Sequence, residues 1–216
     1  MPFALLSLGL FIAAYLIGSV NFAVIFARAF SNRDVRDYGS GNAGTTNVMR
    51  TIGVLPGILT FICDALKGAV ACGAALLAFR SFSLSPDWFR PIYGAYAAGI
   101  ACMLGHMFPL FFEFKGGKGV AISVGIFLVC CPRLVPFSLA LFIVLALITR
   151  IVSLSSLTAM LSVVVFTFFC YDRSAVLWPQ VIMCGIMAAL VYIKHWENIK
   201  RLLRGEEKRL KFRRGS

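Results

Sequence analysis

Residues 54–79 read VLPGILTFICDALKGAVACGAALLAF and carry only two charged side chains, Asp64 and Lys67. A helix needs roughly 17–25 mostly apolar residues to cross a bilayer, so this stretch predicts a transmembrane helix. Asp64 and Lys67 lie about midway along it and one helical turn apart, where charges must pair or line a wet cavity. We expect a structural ion pair; the functional alternative is that the two residues support the loop that precedes the helix.

Further apolar stretches occur on both sides of this one. They cover residues 3–27, 91–112, 119–131, 134–149, 151–171 and 177–193. The stretch 119–131 is short for a full span, and with 134–149 it is also compatible with a re-entrant hairpin. Hydrophobic residues make up 60% of the 216 residues and charged residues 14%, whereas soluble domains hold about 45–50% and about 25%. The sequence therefore predicts an all-α, polytopic membrane protein with about seven transmembrane helices.

The chain length suits one membrane-embedded domain, 1–207, followed by a basic tail, 208–216, that we expect to be flexible. With the N-terminus outside, sixteen lysines and arginines fall in cytoplasmic segments and four in outer loops. This asymmetry follows the positive-inside rule and predicts an outer N-terminus and a cytoplasmic C-terminus. Nine basic residues lie between Lys194 and Arg214, next to an apolar segment. The net charge of +12 therefore matches anionic lipid headgroups better than nucleic acid.

The segment Gly39–Arg50, GSGNAGTTNVMR, concentrates glycines and short polar side chains before an arginine. Glycine lets the backbone curl so that successive N–H groups point at one anion, and the arginine offers a planar fork that suits phosphate. An ordinary surface turn followed by a helix cap is the alternative. We favour anion binding, and the residues assigned to it are Gly39, Ser40, Gly41, Asn42, Gly44, Thr46, Asn47 and Arg50.

A second glycine-rich segment, Gly105–Gly119, reads GHMFPLFFEFKGGKG. It resembles a phosphate loop, but Gly119 stands where a P-loop requires serine or threonine, which disfavours an NTPase. Its lysines can still hold phosphate as point charges at a helix start, whereas anchoring at the cytoplasmic surface would explain the lysines but not the glycines. We assign phosphate binding to Lys115, Gly116, Gly117, Lys118 and Gly119. His106 either joins them or bonds a backbone carbonyl.

The third polar segment begins at His195, where the last apolar stretch ends. In a helix His195 and Asn198 share one face, and Glu197 and Arg201 form an i,i+4 pair. The histidine and the asparagine can thus point together into the cytoplasmic mouth of the bundle, although a solvated interfacial helix matches the spacing equally well. All three polar segments are predicted on the cytoplasmic side, and we expect them to form one composite active site.

The sequence predicts neither a metal site nor a cofactor site. Its seven cysteines lie in apolar runs without a CxxC pair, and its nine acidic residues are scattered, which disfavours a metal-dependent headgroup enzyme. A small organic-phosphate transporter, with the basic loops as a cytoplasmic gate, is the alternative to an enzyme. Such transporters contain inverted repeats, and no repeat is visible in this sequence.

Four motifs together resemble one known family, the bacterial membrane-integral acyl-phosphate:glycerol-3-phosphate acyltransferases. They are GSGNAGTTNVMR, the DALKG stretch at Asp64–Gly68, GHMFPLFFEFKGGKGVA and HWENIKRLLRGEE, and they occur in the family's order. The resemblance extends from the first apolar stretch into the tail. Thr45 is a departure, because family members usually carry alanine at that place.

This resemblance implies a seven-helix fold in the bacterial inner (plasma) membrane, with an active site that faces the cytoplasm. The implied reaction transfers an acyl group from acyl phosphate to the sn-1 hydroxyl of glycerol 3-phosphate and is the first step of bacterial phospholipid synthesis. Its products are lysophosphatidic acid and inorganic phosphate. A soluble enzyme that forms acyl phosphate is the implied protein partner, and no cofactor is implied.

The residues are compatible with this chemistry, which needs charge stabilisation and an acceptor for the hydroxyl proton. We assign phosphate and oxyanion binding to Ser40, Arg50, Lys115 and Lys118, and the orientation of glycerol phosphate to His195 and Asn198. The HxxxxD motif of thioester-dependent acyltransferases is absent, since neither His106 nor His195 has an aspartate five positions on. We therefore expect the leaving phosphate to accept the proton in a substrate-assisted route.

Overall fold

The computed structural model describes residues 2–81, 86, 89–171 and 177–210, and within these ranges the chain forms helices and turns but no strand. The all-α prediction is therefore confirmed. In the same ranges the α-helices are α1 (Pro2–Ser19), α2 (Phe22–Ser31), α3 (Thr45–Thr51), α4 (Val54–Ser81), α5 (Pro91–Met107), α6 (Val120–Cys130), α7 (Val135–Thr149), α8 (Val152–Cys170), α9 (Leu177–Lys194) and α10 (Trp196–Leu203).

Six helical segments of the described chain are long and apolar enough to cross a membrane. They are Phe3–Ser31, Val54–Ser81, Pro91–Phe112, Pro132–Thr149, Val152–Cys170 and Leu177–Lys194. The remaining predicted stretch, 119–131, contains only α6, which has 11 residues. A multi-pass membrane protein is thus confirmed, whereas the number of crossings and the orientation of the termini stay predictions.

The first predicted span, 3–27, lies within a segment that is long and apolar enough to cross a membrane. It is not one continuous helix, because α1 ends at Ser19 and α2 begins at Phe22. Asn21 marks the break: its Oδ1 accepts a hydrogen bond from the backbone N–H of Val24 at 3.3 Å. Asparagine competes for the backbone in this way and starts a new helix as its N-cap. The break leaves the Val20 carbonyl outside the helical pattern in an apolar segment, where a backbone group needs a partner.

The chain divides into two compact units, the first ending at Pro132 and the second beginning at Arg133. In the first unit, Gly105 of α5 faces the Tyr15 carbonyl of α1, and Gly125 of α6 faces the Ala65 carbonyl of α4, with no room for a Cβ at either glycine. Small residues permit such close backbone approach between membrane helices. That residues 1–207 act as a single domain stays a prediction.

In the second unit, α8 packs against both α7 and α9. Ser162 Oγ of α8 lies 3.1 Å from Ser138 Oγ of α7, and Thr167 Oγ1 of α8 lies 3.7 Å from the Cys184 sulfur of α9. Polar side chains at membrane helix interfaces form such contacts because lipid offers no alternative partner. The third polar segment, which begins at His195, belongs to this unit. The helix is interrupted at His195, between α9 and α10.

Candidate active site

Asn47, the third residue of α3, organises the first polar loop, which is the segment Gly39–Arg50. Its buried side chain donates both N–H groups to backbone carbonyls, to Val35 at 3.0 Å and to Tyr38 at 2.9 Å. Its Oδ1 accepts a hydrogen bond from the Ser40 backbone N–H at 2.9 Å. The amide that we predicted as a phosphate donor thus has both N–H groups engaged within the protein, where they hold the curl of the loop.

The tip of the first polar loop is exposed. Gly39 and Gly41 have φ angles of +67° and +70°, in the left-handed region that glycine adopts without steric cost. Ser40 lies between them with an exposed side chain, and Arg50 is exposed in the last turn of α3. A curled backbone, a hydroxyl and a guanidinium are therefore available to an anion at this tip.

The other predicted residues of this loop are less accessible. Asn42, Gly44 and Thr46 are half-buried. Thr45, the departure from the family pattern, has a buried Oγ1 that finds no hydrogen-bond partner in the described part of the chain. An unpaired buried hydroxyl is costly, so the threonine at this position is expected to destabilise the loop.

A charged network that the sequence analysis missed links the turn before the first polar loop to the second polar segment. Arg36 donates to both carboxylate oxygens of Asp34, at 3.0 and 2.9 Å, and to the Phe112 carbonyl oxygen at 2.9 Å. Asp34 also accepts a hydrogen bond from Arg28 at 3.0 Å. The hydrogen bond from Arg36 outweighs the opposing effect of burial and lowers the pKa of Asp34 to about 2. The carboxylate therefore stays ionised and holds Arg36 against the turn that precedes the KGGKG sequence.

The KGGKG loop, Lys115–Gly119, is seated on His106. The Gly117 N–H donates to the His106 carbonyl oxygen at 3.1 Å, and Gly116 lies against the same carbonyl. A Cβ on Gly117 would overlap the His106 ring and come within 2.8 Å of the Ala43 carbonyl oxygen. The second polar loop therefore touches the first at Gly117, where only glycine fits.

The three remaining predicted residues of the KGGKG loop differ in exposure. Lys115 is exposed and pairs with the exposed Glu113 at 3.0 Å. Exposed ion pairs contribute little to stability, so the Lys115 ammonium can exchange Glu113 for another anion at little cost in free energy. Lys118 is half-buried, and Gly119 caps α6 with a φ of +88°.

Asp64, Lys67 and His106 form a buried charged cluster in the first unit. Lys67 Nζ lies 2.8 Å from Asp64 Oδ1, which confirms the predicted ion pair. The same Nζ donates to the Val20 carbonyl oxygen at 2.7 Å and lies 3.0 Å from His106 Nδ1. Each of the three side chains is at most 5% exposed. His106 thus belongs to this cluster, and its predicted contact with phosphate stays a prediction.

His195 and Asn198 are both buried in the second unit, with 4% and 7% of their surface exposed. His195 Nδ1 lies 2.8 Å from the Val191 carbonyl oxygen. Because a carbonyl can only accept, Nδ1 carries a proton and donates it to Val191. The face that His195 and Asn198 share is therefore not the solvated one.

Glu207 fixes the orientation of Asn198, and the sequence analysis did not single it out. Its Oε1 accepts hydrogen bonds from Asn198 Nδ2 at 2.6 Å and Ser153 Oγ at 3.0 Å, and its Oε2 accepts one from Arg201 Nε at 2.7 Å. Burial raises the pKa of Glu207, but these hydrogen bonds outweigh it, so the pKa lies below its ordinary value. The ionised carboxylate thereby ties the tail to α8 and α10.

The exposed side of α10 differs from the expected arrangement. The predicted pair between Glu197 and Arg201 is wrong, because Arg201 reaches Glu207 while Glu197 pairs with Lys200 at 3.0 Å. Lys200 also lies over the Trp196 ring, with Nζ 5.7 Å from its centre. These residues form an exposed face, whereas the alternative interpretation expected the whole segment to be solvated.

The structure brings the first two polar segments together within one unit. The third segment lies in the second unit, and its convergence with the others stays a prediction. Among the missed residues, Glu207 had a signal in the sequence, because it closes the motif HWENIKRLLRGEE as an acidic residue in a basic tail. Ser153 had none. Within the described ranges no group of three or more His, Cys, Asp or Glu side chains is arranged to hold a metal ion.

Comparison with known proteins identifies the class of this membrane protein, which is an integral membrane acyltransferase. The sequence model of the family described as glycerol-3-phosphate acyltransferase matches residues 8–205. The glycerol-3-phosphate acyltransferase of Aquifex aeolicus (strain VF5) is 40% identical over 203 residues, which cover 94% of this chain and 98% of the relative. The chain belongs to the glycerol-3-phosphate acyltransferase family.

Two solved structures are also similar to this chain. Both are of PlsY (YgiH), an integral membrane glycerol 3-phosphate acyltransferase. The glycerol 3-phosphate form is 38% identical with a TM-score of 0.81, and the match covers 95% of this chain and 96% of that chain. The lysophosphatidic acid form is 37% identical with a TM-score of 0.80, and the match covers 95% of each chain.

Proposed function

We propose that this protein transfers an acyl group from acyl phosphate to the sn-1 hydroxyl of glycerol 3-phosphate, as the first step of phospholipid synthesis. The two solved forms of the similar enzyme carry the names of glycerol 3-phosphate and lysophosphatidic acid, which are the acceptor and the product of this reaction. The contact of Gly117 with Ala43 carries the proposal, because it joins two glycine-rich loops. Joined loops of this kind, with basic side chains on both, suit phosphorylated substrates.

We assign phosphate and oxyanion binding to these two loops. In the first loop, the exposed Ser40 and Arg50 flank a backbone whose curl is set by Asn47, so Asn47 shapes the loop and does not bind the ligand. In the second loop, Lys115 and Lys118 supply positive charge at the start of α6, where the helix dipole adds to it. Charge that develops on the acyl oxygen and on the leaving phosphate is stabilised by these donors.

The acceptor alcohol is assigned to the third segment. The sn-1 oxygen attacks the acyl carbonyl carbon, the bond from that carbon to the phosphate oxygen breaks, and inorganic phosphate leaves with the hydroxyl proton. His195 orients the glycerol hydroxyl groups through Nε2, since Nδ1 donates to Val191. Asn198, whose Nδ2 donates to Glu207, is assigned to the orientation of glycerol phosphate together with His195.

We place the protein in the bacterial inner membrane with its polar segments facing the cytoplasm. The support is the asymmetry of sixteen basic residues against four. A soluble enzyme that forms acyl phosphate is the proposed partner, since the donor must reach the cytoplasmic face. The alternative of a small organic-phosphate transporter finds no support, because the matched family and the solved relatives are acyltransferases.

The donor preference of the purified protein tests this proposal. Detergent-purified protein is given glycerol 3-phosphate with acyl phosphate, acyl-CoA or acyl carrier protein of one chain length, and lysophosphatidic acid is measured. Of the three donors, we expect only acyl phosphate to give lysophosphatidic acid. No product should form when glycerol replaces glycerol 3-phosphate. Faster product formation from either thioester would contradict the proposed donor.

A further inference from the structure

Three partners surround the buried ammonium group of Lys67. Its Nζ lies 2.8 Å from Asp64 Oδ1, 2.7 Å from the Val20 carbonyl oxygen and 3.0 Å from His106 Nδ1. An ammonium has three N–H donors and no acceptor. The Val20 carbonyl and His106 Nδ1 take two of these donors, whereas Asp64 Oδ1 is paired with the ammonium by charge and lacks hydrogen-bond geometry. A lysine with 5% of its surface exposed keeps its charge only with such partners.

The three partners of Lys67 belong to different elements of the first unit. Asp64 shares α4 with Lys67, Val20 lies in the break between α1 and α2, and His106 lies in the last turn of α5. The Val20 carbonyl is a backbone group that the break exposes within an apolar segment, and Lys67 satisfies it. Lys67 therefore fixes the position of α5 relative to both α4 and the break.

His106 extends this connection from the buried cluster to the KGGKG loop. His106 Nδ1 lies 3.0 Å from Lys67 Nζ and 3.5 Å from Asp64 Oδ1. Because an ammonium cannot accept, we assign Nδ1 as the acceptor from Lys67 and the imidazole proton to Nε2. The Nε2 side of the ring lies against Gly117, whose N–H also bonds the His106 carbonyl oxygen at 3.1 Å. The orientation of the ring thus sets where the loop sits against Ala43.

We propose that Lys67 is a positioning residue for acyl transfer: through His106 it fixes the seat of the KGGKG loop against the first polar loop. This inference rests on the proposed function. Lys67 itself is buried and is not assigned a contact with substrate. It acts on the reaction through the placement of Lys115 and Lys118, while Asp64 balances its charge.

The experiment compares His106→Leu, which removes the acceptor for Lys67, with His106→Asn, whose amide oxygen can still accept. The double variant Asp64→Asn/Lys67→Met removes the donor and leaves no uncompensated charge. Thr60→Val is the matched control, because Thr60 is a buried polar residue of α4 that bonds only within its own helix, at 2.7 Å. Thermal unfolding in detergent, KM and kcat for each substrate, and hydrogen exchange of residues 108–119 are measured.

We expect His106→Leu and the double variant to remain folded and to raise the KM of one phosphorylated substrate about tenfold, because a buried hydrogen bond is lost. Their kcat should change less than the KM. Exchange of the Gly117 amide should accelerate in both. His106→Asn should restore most of the KM and of the protection, and Thr60→Val should match the wild type.

The inference would be overturned by unchanged KM values in His106→Leu, by a loss of kcat alone, or by failure of His106→Asn to rescue. Unchanged exchange of residues 108–119 in His106→Leu would also refute it, and this readout needs no substrate. If the wild type forms no lysophosphatidic acid from acyl phosphate, the proposed function fails, while the exchange data still decide the role of the cluster.

Discussion

The two units each contain a buried ionic group that organises a predicted functional segment, but the groups have opposite sign and surroundings. In the first unit, Lys67 lies within a membrane-spanning helix and is 5% exposed. In the second unit, Glu207 lies beyond α10 and outside the candidate membrane spans, its side chain is 8% exposed, and Asn198, Ser153 and Arg201 donate to it. A charge within an apolar spanning segment cannot be rehydrated when its partner is removed, whereas a charge beyond the end of such a segment can. Loss of a partner should therefore cost more at Lys67 than at Glu207.

The largest expected effect is the loss of stability in Lys67→Met. This change leaves Asp64 buried without its 2.8 Å partner. Breaking a buried pair costs about 3–5 kcal/mol. Thermal unfolding in detergent should show a marked fall in Tm, and Asp64→Asn in the same chain should recover most of it. If the single variant is as stable as the wild type, the buried pair lacks the energetic role given to it.

The next effect concerns catalysis rather than stability. Arg50→Ala and His195→Ala should each reduce kcat/KM about 100-fold, as expected when a donor to a developing charge or an orienting group is removed. Arg33→Ala is the matched control, because Arg33 is also an exposed arginine near the first loop and lies over Tyr38, 5.4 Å from the ring centre. It should stay within about twofold. Wild-type rates in both active-site variants would disprove the assignment.

A smaller effect is expected at the edge, in Glu207→Gln. Since this carboxylate lies outside the candidate membrane spans and glutamine keeps an oxygen that can accept, we expect a stability loss of about 1 kcal/mol. Its lowered pKa means that the carboxylate stabilises the fold above the ordinary glutamate pKa of about 4.3. That contribution disappears as the pH falls through the lowered native pKa. Glu207→Gln should therefore lose Tm at pH 7 and lose less additional Tm on acidification than the wild type.

The control for Glu207 is its neighbour Glu206, which is exposed. Glu206→Gln should leave both the Tm and its acid dependence unchanged. An acid profile for Glu207→Gln that parallels the wild type would show that this carboxylate does not contribute in the proposed way.

The smallest effect is expected at the surface of the KGGKG loop, in Glu113→Gln. The pair with Lys115 is exposed on both sides, so the Tm should not change. Removal of the competing carboxylate should leave Lys115 more available and lower the KM of a phosphorylated substrate by about twofold or less. Glu197→Gln, which removes a similarly exposed pair on α10, should leave the KM unchanged. A raised KM in Glu113→Gln would mean that Glu113 helps to hold substrate.

The sequence was sufficient where one local constraint decided the outcome. Two opposite charges in an apolar stretch find few other partners, so the contact of Asp64 with Lys67 could be predicted from spacing alone. The glycines at 39, 41 and 119 likewise indicated curled backbone, and all three have positive φ angles. The length of the apolar stretches gave the helical membrane fold.

Contacts between distant residues could not be predicted in this way. Arg36 bonds a carbonyl 76 positions away, and Ser153 bonds Glu207 across 54 positions. Nothing in the local pattern selects such partners, because packing decides them. The break after Ser19 was missed for another reason: the capping preference of Asn21 competes with a long apolar run, and the run dominates any average over the sequence.

The stoichiometry of acyl transfer by the purified protein tests the central claim most directly. Acyl phosphate and glycerol 3-phosphate are supplied together, and lysophosphatidic acid and inorganic phosphate are measured over the same interval. We predict equal amounts of the two products from the wild type, and a parallel fall of both in Arg50→Ala and His195→Ala. Phosphate release that does not depend on glycerol 3-phosphate, or a wild-type protein that forms no lysophosphatidic acid, would contradict the account.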